Sequence, residues 1–326
     1  LFFDIKPKER LGDLFDRREE YSALSRLVDK GQWVVVLGKR MTGKTSLVKT
    51  FAKERGGVYV NVLGVKNIGG LAQALIPSAK LKLKDVDLGL ERGLPTFRVR
   101  LTKTLDSIFS ESNLLVFDEI QELTSPTFLK LLKYLFDTYS KLRIVFTGSL
   151  MGLLKRMLEP AATSPLYGRQ PARIELKPFD RETSKAFLER GFKEFRLKPV
   201  ESEVEETVNR LDGYVGWLTY YGNFRCTRMM EHSRALNAAI EEGVKVILEE
   251  INHFLQNKQR KPYVKVLRSA RHGARWSELQ SGLGVNDKIL ADILQRLTNV
   301  GYLDKVNGLY TINDPVTREA VLRLRA

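Results

Sequence analysis

The stretch from Trp33 to Ser46, WVVVLGKRMTGKTS, constrains the fold of this chain more than any other. Trp33 to Leu37 is a short, valine-rich apolar run, the pattern of a buried strand. It leads into Gly38-Lys39-Arg40-Met41-Thr42-Gly43-Lys44-Thr45, which matches G-x-x-x-x-G-K-[ST]. Gly38 and Gly43 supply the backbone conformations that turn N–H groups toward a phosphate. Lys44 puts a cation near β- and γ-phosphates, and the Thr45 hydroxyl is a magnesium ligand. Leu47, Val48, Phe51 and Ala52 mark a helix that begins at Thr45, with Ser46 in its first turn. The dipole and open N–H groups of that helix end favour an anion. Arg55-Gly56-Gly57 is its stop signal. Gly38 to Ser46 is therefore the expected nucleotide cradle. The plainer alternative is a glycine turn between strand and helix.

Leu114 to Glu119, LLVFDE, is the second signal: four apolar residues deliver two carboxylates to the tip of a buried strand. Downstream of a P-loop, the first acid, Asp118, suits Mg²⁺ held through water. The second, Glu119, suits a general base acting on the attacking water. Arg143 to Phe146 forms another apolar strand, ending in Thr147-Gly148-Ser149. The hydroxyls of Thr147 and Ser149 can reach the γ-phosphate or its water; helix capping by either is the alternative and does not exclude that role.

The remaining chain fits around these strands. Tyr21, Leu24, Leu27 and Val28 share one helical face within Leu11 to Asp29, and Phe15-Asp16-Arg17 enters that helix where a chain can cover a base. Simple solvation is the alternative for Arg17 and Arg18. Val58 to Val62 reads as a strand, and Ile68 to Ile76 as a short helix ended by Pro77. Residues 80–91 read as a hairpin or bulged strand, and Thr96 caps a further helix. Ser125-Pro126 starts a helix, Pro160 to Arg169 is a loop, and Arg173 to Leu176 is a fifth strand. Strands alternating with helices give a parallel α/β sheet.

From Asp180 the pattern is helical. Asp180 caps a helix through Phe192, Ser202 opens a capping box, and Gly216 to Glu231 and Ser233 to Gln256 continue as helices. After Lys258 three helices precede a hairpin, Tyr302 to Val306 and Leu309 to Ile312, turning at Asn307-Gly308. That is a winged-helix arrangement. The predicted fold class is α/β: a P-loop NTPase parallel sheet core over 1–178, an all-α lid over 179–256 and a winged helix over 257–326.

Composition limits the partners. The net charge of +15 permits a polyanion, and a solvated basic surface explains it equally well. The third C-terminal helix, where base-reading groups would sit, carries Asp287 and Asp292 beside Lys288 and Arg296, a lukewarm DNA face. One cysteine and three histidines give no disulfide and no zinc site, and no run approaches a membrane span. Leu1-Phe2-Phe3 meets Asp4 at once, so no signal peptide is expected and the expected compartment is the cytoplasm.

On FDRREE (15–20), GKRMTGKTS (38–46), VFDEIQEL (116–123), FTGSLMGLL (146–154), SPLYGR (164–169), LKPFDRETSKAFLERGF (176–192) and DGYVGWLTYYG (212–222), the chain resembles the archaeal-type ATPases of the STAND/AAA+ group of P-loop NTPases. The resemblance implies a five-stranded core, a lid and a C-terminal winged helix. It implies ATP/ADP and Mg²⁺ as cofactors, with adenine near Phe15, Arg17 and Val215. It makes Thr147 and Ser149 sensor-like, and Arg169 an arginine that reads the γ-phosphate, often from a neighbouring subunit. As a structural residue, Arg169 would instead be an exposed loop arginine, or one paired with a lid carboxylate such as Glu182 or Glu189. Val215, Asp16 and Met41 depart from residues usual in the family; Lys44, Thr45, Asp118 and Glu119 do not.

The expected function is an ATP-dependent switch that hydrolyses ATP to ADP and phosphate slowly. Two alternatives stand beside it: a nucleotide-licensed protein that binds double-stranded DNA like replication initiators, and a signalling scaffold whose winged helix packs on its own ATPase domain. A homo-oligomer is a further expected partner; a membrane is not.

Overall fold

The structure, a computed structural model, describes residues 1–65, 67–78, 113–120, 123, 126–148 and 152–325. The predicted hairpin at 80–91, the helix from Thr96, and Ser149 lie outside them. The chain forms two compact units: residues 7–38 with 44–176, and residues 177–326 with 1–6 and 39–43.

The first unit is built on five parallel strands: β1 (Val34–Gly38), β2 (Val58–Asn61), β3 (Leu114–Asp118), β4 (Arg143–Thr147) and β5 (Ala172–Leu176). Their order is β2-β3-β4-β1-β5. Strand alternation sorts the side chains onto two faces. Val34 and Val36 join Val116 and Val145 on one face, under Leu24 and Val28 of α1 (Arg18–Asp29) and Leu47, Val48 and Phe51 of α2 (Lys44–Glu54). Val35 and Leu37 join Leu115, Phe117 and Phe146 on the other, with Leu71 of α3 (Ile68–Ser78), Phe128 and Leu132 of α4 (Pro126–Thr138) and Leu154 of α5 (Gly152–Leu158). Both faces are covered, so β1 reads as an unbroken apolar run.

Element ends differ from expectation where local signals compete. The helix expected within 11–29 begins at Arg18, after a separate 3₁₀ turn at Leu11–Asp13 and a left-handed Asp16. α2 begins at Lys44, one residue before Thr45. α3 runs through Pro77 to Ser78, past the expected stop.

In the second unit, α6 (Arg181–Glu194), α7 (Glu201–Leu211), α8 (Val215–Gly222) and α9 (His232–Leu255) surround Trp217, Tyr221 and Phe192, all fully buried. Phe3 fills a slot whose walls are Gly191 and Gly222. A Cβ on either glycine would come within 2.0 Å and 2.2 Å of its ring. Asp180 caps α6 by accepting from the Thr183 N–H at 2.7 Å. The capping box expected at Ser202 is not formed: α7 already begins at Glu201, after Val200, and Ser202 lies inside it. The helix expected from Gly216 to Glu231 closes at Gly222 in a π turn, Asn223–Thr227, and the Glu231 carboxylate caps α9 instead.

Four more helices, α10 (Arg260–Ser269), α11 (Trp276–Leu283), α12 (Asp287–Val300) and α13 (Pro315–Arg323), accompany a small antiparallel sheet. Its strands are β6 (Ala274–Arg275), β7 (Asp304–Val306) and β8 (Leu309–Thr311), in the order β6-β8-β7. Asn307 at φ 50° and Gly308 at φ 80° make the expected two-residue turn. α13 went unpredicted, although Asp314-Pro315 is a cap followed by proline at the first helical position.

Candidate functional site

Parallel strands bring their C-terminal tips to one edge of the sheet, and register fixes which tips are neighbours. Val36 pairs with Thr147, and Asn61 with Asp118. Gly38, Thr147 and Asp118 thus end adjacent parts of one edge, with β4 between β1 and β3. Alternation puts Thr147, Asp118 and Tyr59 on the face covered by α2, the helix that begins with Lys44.

The loop after β1 turns through left-handed positions at Met41 (φ 59°) and Gly43 (φ 94°). Gly43 takes that conformation freely, whereas Met41 carries strain there. The Lys44 ammonium donates to the Gly38 carbonyl at 2.9 Å, so its stem folds back along the loop. The Thr42 hydroxyl donates to the Lys39 carbonyl at 2.8 Å. Thr45 and Ser46 lie in the first turn of α2, and the Ser46 hydroxyl accepts from the Lys8 N–H at 3.1 Å.

Asp118 is fully buried. The Tyr59 hydroxyl donates to its Oδ2 at 2.6 Å, and the Thr147 hydroxyl donates to its Oδ1. Thr147 Oγ1 in turn accepts from the Glu119 N–H at 3.1 Å. Glu119 itself sits at φ 61°, an unusual conformation that this hydrogen bond holds. Thr147 is the last residue of β4, and its hydroxyl joins the Asp118 carboxylate to the Glu119 backbone N–H. Burial, and then the Asp118 charge, push the Tyr59 phenol up from its ordinary range, so it keeps the proton it donates.

In the second unit, loop residues 39–43 meet C-terminal side chains. The Met41 carbonyl accepts from the Gly216 N–H at 2.9 Å, and a Cβ on Gly43 would lie 3.4 Å from Val215 Cγ1. Val215, the first residue of α8, is therefore beside the phosphate loop. Lys39 pairs with Asp304 of β7 and Arg40 with Glu250 of α9. Arg17 is not a solvated side chain: it is buried and pairs with Glu20 at 2.7 Å.

Arg169 is elsewhere. Its Nε donates to Asp137 near the end of α4 at 3.2 Å, and its guanidinium lies 6.0 Å from the Phe136 ring centre. Phe136 contacts Trp33, just before β1, at 5.3 Å between ring centroids. The Trp33 indole N–H donates to Leu142, just before β4, and its carbonyl accepts from Ala172, the start of β5. These residues mark the N-terminal edge of the sheet. A five-residue strand spans about 16 Å, so Arg169 is separated from the tips of Gly38 and Asp118 by at least that length. Tyr59 is the contributor that sequence reading missed. Its signal was its place on β2 two residues before Asn61, hence on the face and at the edge that Asp118 shares.

The archaeal ATPase-domain profile, an ATPase domain predominantly from Archaea, matches residues 14–220. A Walker-type ATPase of Pyrococcus abyssi is similar at 30% identity, covering 99% of this chain and all of that one, with a TM-score of 0.84. The ORC2 protein of Aeropyrum pernix, solved with ADPNP and ADP, shares the fold at 15% identity, 98% and 96% coverage and a TM-score of 0.63. Cdc6p of Pyrobaculum aerophilum does so at 14% identity, 98% and 96% coverage and a TM-score of 0.53. No curated protein matches the sequence. A glycine loop after β1, a buried acid at the tip of β3, and a profile match running from the first helix into α8 agree on one assignment: this chain belongs to the archaeal ATPase-domain family.

Proposed function

We propose that the protein binds MgATP and hydrolyses it slowly to ADP and phosphate, as a nucleotide-dependent switch. The observation that carries this reading is the convergence of Gly38, Thr147 and Asp118 at one sheet edge, on the face from which Lys44 and Thr45 start α2. Backbone N–H groups of residues 38–46 hold the phosphates, and Lys44 leaves the Gly38 carbonyl to meet the β- and γ-oxygens. Phe15, Arg17 and Val215 are the proposed adenine side.

The donor set fits magnesium. Thr45 and Asp118 offer hard oxygens, and each Asp118 oxygen keeps a lone pair beyond the bond it accepts. Bound there, the ion would neutralise charge on the phosphates. Glu119 takes the proton of the attacking water, while Thr147 fixes the Glu119 backbone. Arg169 lies at the opposite sheet edge, so its proposed role is toward the phosphates of a second copy.

The lid over 179–256 and the winged helix over 257–326 are the proposed moving parts. Double-stranded DNA is the less supported partner. The ORC1 protein of Aeropyrum pernix was solved with DNA and shares the fold at 16% identity. Here, however, several basic groups of the C-terminal region have intramolecular partners. Arg268 binds the carbonyls of Val321, Leu322 and Leu324, Arg271 pairs with Glu319, and Arg296 with Asp292. Steady-state ATPase activity, with and without duplex DNA, tests the reading. Magnesium-dependent phosphate release that DNA leaves unchanged is the expected result; none under any condition would sink it.

A further inference from the structure

Tyr59 stands on β2, the edge strand next to β3, and its side chain is half-buried against the core that α2 covers. Asn61 pairs with Asp118 in register, so Tyr59 is a diagonal same-face neighbour of Asp118. An aromatic ring is long enough to cross that diagonal, and the hydroxyl arrives 2.6 Å from Asp118 Oδ2. Thr147 holds the other oxygen. The carboxylate is thereby fixed at both ends, and Asp118 is buried. A carboxylate that reaches its metal through water depends on such orientation, because a rotation about its last torsion moves both oxygens off the water shell.

We propose that Tyr59 is a positioning residue of the magnesium site: its hydroxyl sets the orientation in which Asp118 accepts from metal-bound water. The proposal rests on the assignment of Asp118 to magnesium made above. The ring of Tyr59 also carries the Lys49 ammonium 5.7 Å from its centre, and Lys49 is tied to Glu9 at 2.8 Å. The phenol is thus packed from the α2 side as well as hydrogen-bonded at its tip, as a group that orients another must be.

The test is Tyr59→Phe in the full chain, which keeps the ring and removes one oxygen. Affinity for a fluorescent ADP analogue is titrated in EDTA and across a magnesium series. The expected result is unchanged affinity in EDTA and a magnesium midpoint raised roughly 10-fold or more, the usual loss for an outer-shell partner. Installing 4-aminophenylalanine at position 59, which restores a donor in the same place, should return the midpoint toward wild type. It also serves if Tyr59→Phe does not fold. A merely structural role would lower the thermal midpoint and leave the magnesium midpoint alone. Asp118→Asn separates the two levels. If it leaves the magnesium dependence untouched, the assignment of Asp118 itself fails. If it abolishes that dependence while Tyr59→Phe shows a wild-type midpoint, or the 4-amino variant gives no recovery, the role of Tyr59 alone is overturned.

Discussion

Lys39, the first residue after Gly38 in the phosphate loop, pairs its ammonium with the carboxylate of Asp304 in the C-terminal hairpin. Asp304 also accepts from the Asn313 amide at 2.7 Å, and the neighbouring Arg40 pairs with Glu250. Two successive cations of the loop are thus tied to acids far along the chain. No local pattern announces such a pairing.

Each of these pairs is about a quarter to two-fifths exposed, so solvent screens it. A double-mutant cycle on Lys39→Met and Asp304→Asn should return a coupling of about 0.5–1 kcal/mol, shrinking as salt is raised. Chemical denaturation of the four proteins measures it. A coupling of zero at low salt would mean that the pair is not held in solution.

Lys44→Ala should greatly weaken MgATP binding. Its ammonium lies on the loop, 2.9 Å from the Gly38 carbonyl, and a P-loop lysine at this position meets the β- and γ-phosphates. Titration with a fluorescent ATP analogue decides it, and unchanged affinity would remove Lys44 from the site.

Glu119→Gln should keep ATP bound and slow hydrolysis about 10²–10⁴-fold, the range for loss of a general base. The backbone at Glu119 is held by Thr147 through an N–H that glutamine retains, so the change is confined to the carboxylate. Single-turnover hydrolysis at the wild-type rate would place the base elsewhere.

Much of this site is legible from sequence because its parts are local. A valine run, a glycine loop and an acid at a strand tip each span under ten residues, and period-2 alternation orients them. What was not legible is long-range: Phe3 in its two-glycine slot, Lys39 against Asp304, Tyr59 against Asp118. Arg169 is different. Its place at the far edge follows from topology alone, since it immediately precedes β5 and every strand of the sheet runs the same way. Ser202 failed as a cap because Val200 and Glu201 already start the helix, so composition of a capping box without its position was misleading.

Asp314 carries the largest stability prediction. It caps α13, accepting from the Val316 N–H at 3.0 Å, the Thr317 hydroxyl at 2.6 Å and the Trp217 indole at 3.1 Å. Asp314→Ala removes a cap and strands buried donors, for a cost of about 2–4 kcal/mol. Burial pushes the Asp314 carboxyl above its ordinary range, against the pull of its three donors. The folded state therefore holds this proton more tightly than the unfolded chain. The contribution is full below pH 3.8, the unfolded value, and declines as pH rises through the higher folded one. Denaturation of wild type and Asp314→Asn across that range checks the sign: the advantage of wild type should fall with rising pH. A difference that grows with pH would reverse the assignment.

Arg169 gives the prediction that bears on assembly. Its guanidinium stays charged and offers a planar fork of donors, suited to a transferring phosphoryl group. In this chain it lies with Asp137 and Phe136 at the N-terminal edge of the sheet, while Gly38 and Asp118 close the other. The Lys133 ammonium and, after it, the Arg169 guanidinium hold the Asp137 carboxyl below its ordinary range. Roughly 16 Å of strand separates the two edges, more than an arginine side chain spans, so the role proposed for Arg169 is toward the phosphates of a second copy. Arg169→Ala should lower kcat with little change in ADP affinity. Mixed with a Lys44→Ala protein, it should regain activity, because an intact arginine on one copy then faces an intact phosphate loop on the other. Activity that falls in the single variant and stays low in the mixture would argue against action across subunits. Wild-type kcat in Arg169→Ala would leave this residue only its pairing with Asp137 and its packing on Phe136.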